Sequence, residues 1–209
     1  MKLAILSTLL AAVASAAPAP AAEAAPVADP APAAAPVTSS KVFAIMTLRS
    51  ASPIHFGQID AAKGSILINR KNGSEATCPP GHNNDGWALF YVRDGQLFLY
   101  GDGKKENVQQ LYVDRSGMGQ GRFGYITGAQ SPPRNAELKG FKVDKDGYLS
   151  FKDSGFIGCP GKGGAQAGGW SVWVDAGVAN PGGNTGCLGF TPMTLPSNSQ
   201  KPYKCQYSK

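Results

Sequence analysis

The sequence predicts an all-β protein, with a β-trefoil-like single domain preferred to a Greek-key β-sandwich. Three observations carry this. Beyond residue 16 the apolar residues recur with period two, as on half-buried strands, and no apolar stripe appears at helical spacing. The 209 residues include 27 Gly and 16 Pro, a density that suits short strands joined by many turns. A hairpin-like pattern, G-x-Φ-x-Φ with Φ a large apolar residue, occurs three times, at Gly64–Ile68, Gly95–Leu99 and Gly147–Phe151. Its glycines are unevenly spaced, which keeps the sandwich open as the alternative.

Met1-Lys2, the apolar run from Leu3 to Val13, and Ala14-Ser15-Ala16 have the charge, length and small-residue ending of a secretory signal peptide over 1–16. In residues 17–40, Ala and Pro fill 17 of 24 positions, and six prolines preclude a continuous helix. This stretch is expected to be a disordered Ala/Pro-rich linker with some polyproline character. Residues 41–209 then form the all-β domain. Its strand-like runs are Trp87–Val92, Gln96–Tyr100, Leu111–Val113 and Trp170–Val174, each bounded by Gly, Asp or Asn. Asp94-Gly95 and Asp146-Gly147 are hairpin turns, because glycine accepts the positive φ that a tight turn requires.

Residues 41–209 hold 19 Lys and Arg against 12 Asp and Glu, a balance that favours acidic glycans or phosphomannan at low ionic strength. The basic residues are dispersed, so nucleic acid is a poor partner. No apolar stretch of membrane-spanning length follows the leader. The segment Ser197–Lys209 lacks the hydrophobic tail a GPI signal requires, so no lipid anchor is expected.

A secreted chain with Cys78, Cys159, Cys187 and Cys205 is expected to carry two disulfides. Pairing Cys187 with Cys205 would close a short Pro-, Ser- and Thr-rich segment and add roughly 3 kcal/mol. Cys78 would then pair with Cys159. The crossed alternative, Cys78 with Cys205, would join early and late strands. A zinc site is not expected, since no C-x-x-C occurs and only His55 and His82 are available.

Chemistry is sparse: no catalytic, metal or cofactor site is expected. His55 lies between Ile54 and Phe56 in a strand-like context and reads as structural, and His82 reads as a loop residue. Gly119–Gly124 matches G-x-G-x-x-G, but Tyr125-Ile126-Thr127 continues as a strand where pyrophosphate binding needs a helix. Asp60, Asp114 and Asp175 are candidates for a glycosidase pair, with Asp60 and Asp114 better explained as turn residues. Trp170 and Trp173, three apart on a strand, face opposite sides, so one can fill the core while the other stacks on a sugar. Asn72-Gly73-Ser74 is an N-glycosylation sequon at a turn. Asp94-Gly95-Gln96 has the form of a glucan-attachment core, with a plain hairpin turn as the simpler reading.

Leu48–Phe56, Leu111–Gly121, Trp170–Gly177 and Asn180–Asn184 together resemble the PhiA family of filamentous-fungal cell wall proteins. The resemblance implies a small secreted, glycosylated wall protein associated with phialide and conidium formation, stress protection and antigenicity, without enzymatic activity. The expected function is that of a non-catalytic structural wall protein whose partners are wall polysaccharide or other wall proteins. A lectin-like glycan-binding module and a secreted carbohydrate-active enzyme are the alternatives.

Overall fold

The computed structural model describes residues 41–80, 86–161, 169–197 and 202–209. The expected signal peptide, the linker and His82 lie outside the described residues. Strands occur in chain order as β1 (Phe43–Leu48), β2 (Gly57–Ala62), β3 (Ser65–Ile68), β4 (Ala76–Thr77), β5 (Phe90–Arg93), β6 (Gln96–Leu99) and β7 (Gln109–Asp114). They continue as β8 (Arg122–Thr127), β9 (Phe141–Val143), β10 (Leu149–Phe151), β11 (Phe156–Pro160), β12 (Trp170–Val174), β13 (Leu188–Pro196) and β14 (Gln206–Tyr207). The only helical elements among the described residues are two 3-10 turns, Lys105–Asn107 and Pro181–Gly183, so the all-β class holds.

One sheet contains 10 strands in the order β11-β13-β1-β2-β3-β12-β8-β7-β6-β5. Further pairings β11–β12 and β1–β5 join strands distant in that order, so the sheet returns on itself, and β3 also touches β8 past β12. Closure leaves few unpaired edges, which is how an all-β molecule avoids edge-to-edge association. The longest contact between chain ends is β1 with β13, in register from Phe43↔Pro196 to Leu48↔Thr191. Two small sheets, β9–β10 and β4–β14, complete the domain.

All three G-x-Φ-x-Φ motifs form hairpins, although not equivalent ones. β2–β3 turns at Lys63-Gly64 (φ 50° and 70°) and β5–β6 at Asp94-Gly95 (φ 51° and 73°). Positive φ at both central residues is the type I′ signature, whose twist matches that of the strands. The third hairpin, β9–β10, has a longer loop in which Asp144 Oδ1 accepts the N–H groups of Asp146 and Tyr148. It stands in its own two-stranded sheet while the other two belong to the large one. The residues after Gly119-Gln120-Gly121 enter β8, as their strand-like composition predicts.

Alternation sets the core. On β5 and β6 the side chains of Phe90, Val92, Leu97 and Leu99 are buried, and on β12 those of Trp170, Val172 and Val174. Phe141 and Phe151 of the third hairpin add a tilted ring pair 4.6 Å apart to the same cluster.

The disulfides correct the expected pairing of Cys78 with Cys159 and Cys187 with Cys205. Cys78 bonds Cys205, and Cys159 bonds Cys187. Strand register is the cause. β4 and β14 pair antiparallel with Thr77 opposite Gln206, so one step further places Cys78 opposite Cys205. β11 and β13 pair with Gly158 opposite Leu188, and the next step places Cys159 opposite Cys187. Loop length favoured the local pairing, but cross-strand register decides which sulfurs meet.

Candidate functional site

The carboxylates considered for catalysis are all engaged in building the chain. Asp60 on β2 is 0% exposed. Its Oδ1 accepts Gln58 Nε2–H at 2.7 Å, and its Oδ2 accepts the Arg70 backbone N–H at 2.8 Å. Burial pushes its pKa from 3.8 up to about 6, against the pull of those bonds. Asp114 Oδ1 accepts Ser116 N–H at 3.0 Å and Asp175 Oδ1 accepts Gly177 N–H at 2.8 Å, the side-chain-to-backbone bonds of Asx turns. His55 Nδ1 accepts the Arg49 N–H at 3.1 Å, and its ring lies 3.8 Å from the exposed Phe56 ring.

An ion network that sequence reasoning missed lies beside Asp175. Arg115 makes a two-pronged contact with Glu137, Nε to Oε1 at 2.7 Å and Nη2 to Oε2 at 2.9 Å. Lys152 donates to the same Oε2. The two cations hold the Glu137 carboxyl down at about 2, the Arg115 hydrogen bonds being the largest cause. A carboxyl kept charged this firmly cannot serve as a proton donor near neutral pH. Its partners in the chain are far apart in number, so no local motif announced it.

The tryptophans divide as their spacing predicts. Trp170 is 6% exposed and belongs to the core cluster. Trp173 is half-buried, donates Nε1–H to Ser171 Oγ at 2.9 Å, and lies against the turn at Gly182. Asn72 is exposed on the turn closed by Gly73 N–H to Arg70 O, whereas Ser74 of the same sequon is buried and its Oγ accepts the Ala61 N–H. Gln96, the third residue of Asp94-Gly95-Gln96, accepts a bond from Gln110 Nε2 at 2.6 Å.

Accessible recognition chemistry concentrates on the outward side of β5, β6 and β7. Because Phe90, Val92, Leu97 and Leu99 point inward, strand alternation turns Tyr91, Arg93 and Gln96 outward, while Phe98 on the same side is covered and only 4% exposed. Register places Tyr91 opposite Phe98 and Gln110 beside Phe98. The Tyr91 and Phe98 rings stack at 5.1 Å and 15°, and Tyr100 meets Tyr91 edge-on at 6.2 Å. The Arg93 guanidinium lies 5.1 Å from the centre of Phe98, a cation–π contact. Partial burial raises the Tyr91 hydroxyl pKa, so it stays a neutral donor.

Next to this face runs a largely apolar groove of about 320 Å³, lined by Val42, Tyr91, Val92, Arg93, Tyr100, Gly101, Gly103 and Lys204. Its size lies at the small end of known ligand sites. Just behind Gly101, the Gln206 amide has no hydrogen-bond partner among the described residues for either Nε2 or Oε1, a state that costs roughly 1–3 kcal/mol per buried group.

The pattern of the family described as "PhiA-like secreted protein" matches residues 43–208. The chain belongs to this family. The PhiA-like chain is 40% identical over 171 residues to "Cell wall protein phiA" of Aspergillus fumigatus, covering 82% of this chain and 87% of that one. With the protein of the same name in Aspergillus niger it shares 38% identity over 203 residues, 97% of this chain and 98% of the relative. The Arthroderma benhamiae protein of that name is 40% identical over 152 residues, covering 72% and 79%. No solved structure matches it at a significant level. This PhiA-like protein is therefore secreted, and its place is the extracellular cell wall. In this PhiA-like domain the aromatic face was readable only in part: Tyr91 and Tyr100 alternate with the buried Phe90, Val92 and Leu99, whereas Phe98 is buried although it lies between two core residues.

Proposed function

We propose that this chain is a non-catalytic structural protein of the fungal wall, serving phialide and conidium development and stress protection. The observation that carries the non-catalytic part is the commitment of Asp60, Asp114, Asp175 and Glu137 to turns, burial and ion pairs. Family membership supports the wall setting. Asn72 is glycosylated in this reading, since its turn is exposed. The closed strand circuit and the three hairpins support a trefoil-like description of the fold.

Incubation of the secreted protein with chitin and β-1,3-glucan tests the non-catalytic claim. No new reducing ends should appear, in the wild type or in Asp114→Asn and Asp175→Asn variants. Turnover abolished by either substitution would make it an enzyme. The lectin-like reading is the second, favoured by the outward aromatic face of β5–β7.

A further inference from the structure

We infer that the groove between Val42, Tyr91, Tyr100 and Lys204 binds an anionic glycan, a pyranose chain carrying carboxylate or phosphate groups. Tyr91 and Tyr100 meet at 88°, forming an aromatic corner against which the C–H face of a pyranose can lie. Charge selects among sugars. Arg93 and Lys204 are exposed along the lining, no carboxylate lines it, and neither cation has an ion-pair partner among the described residues.

Arg93 is also held in place, since its guanidinium rests on the Phe98 ring rather than swinging freely. A fixed planar fork suits two-pronged contact with carboxylate or phosphate. Asp94 follows Arg93 in the β5–β6 turn, and Asp102 stands between the lining residues Gly101 and Gly103. Asp102 feels Lys204 weakly, but its oxygens accept the Lys104 N–H and the Asn107 side-chain amide. The positive balance of the chain, +6 overall, adds long-range attraction of the same sign. The proposal rests on the wall reading only for its setting.

Calorimetric titration of the full secreted chain tests it, using oligogalacturonate and phosphorylated mannan as acidic probes and neutral mannan as their counterpart. At low salt at least one acidic probe should bind about tenfold more tightly than neutral mannan, and the probe that does so identifies the anion. The double substitution Arg93→Gln/Lys204→Gln should abolish that preference, while Lys139→Gln/Lys142→Gln, exposed charges elsewhere, should leave it intact. Tyr91→Ala should weaken every probe, and Tyr91→Phe, which keeps the ring, should retain affinity. Equal binding of acidic and neutral probes overturns the inference, as does equal loss in the two double variants. Hydrolysis of a probe would instead overturn the non-catalytic reading and leave the groove standing.

Discussion

Ser74 is the third residue of the sequon beginning at Asn72, and in the folded domain its hydroxyl accepts the Ala61 N–H at 3.1 Å. A glycan transferred to Asn72 needs that hydroxyl accessible, so addition has to precede folding of the β2–β3 region. Asn72→Gln should abolish an endoglycosidase-sensitive mass shift without lowering the melting temperature through lost packing. Ser74→Ala should abolish the same shift and also destabilise by about 1–3 kcal/mol, because the Ala61 N–H loses its acceptor in the interior. Mass spectrometry and thermal unfolding of the two variants check this contrast. Gly121 explains the nucleotide-like motif by packing alone. It has φ 94°, and a Cβ there would come 1.9 Å from Val174 O. Gly121→Ala should therefore cost roughly 3 kcal/mol, visible as a lower urea midpoint.

Strands were legible where their sequence alternates, and their partners were not. The runs around Phe90, Leu97, Leu111 and Trp170 all became strands, because burial of one face selects period two locally. Which strand lies beside which depends on contacts between residues far apart, and the two disulfides show the consequence. Cys78 and Cys205 meet because β4 and β14 pair, although both strands are two residues long and carry almost no sequence signal. The chain-entropy model assigns about 5 kcal/mol to the Cys78–Cys205 bond (separation 127) and roughly 3.5 kcal/mol to Cys159–Cys187 (separation 28). Removing the second by Cys159→Ser/Cys187→Ser should lower the melting temperature by about 10 °C, and removing the first by more. Non-reducing peptide mapping should recover these two linked pairs. The aromatic groove was hidden for a related reason: Val42, Tyr91 and Lys204 come from three separate parts of the chain.

Over the whole molecule, two carboxyls set opposite limits on acid stability. Asp60 has its pKa raised from 3.8 to about 6, so the folded state binds more protons between those values. Its contribution is full below about pH 3.8 and is lost as pH rises through 6. Glu137 is lowered from 4.5 to about 2, so its contribution is present above 4.5 and lost as pH falls through 2. Urea midpoints should rise as the medium is acidified from neutrality, peak between about pH 4 and 5, and fall below that. Asp60→Asn should flatten the rise and Glu137→Gln the fall. Both predictions concern endurance in an acidified wall, but location is the central claim. Sequential extraction of fungal walls with hot detergent, alkali and glucanase, followed by blotting, measures it most directly. The protein should remain in the detergent-insoluble wall and leave with alkali or glucanase, whereas recovery wholly in the detergent or lipid-linked fraction would contradict a structural role in the wall.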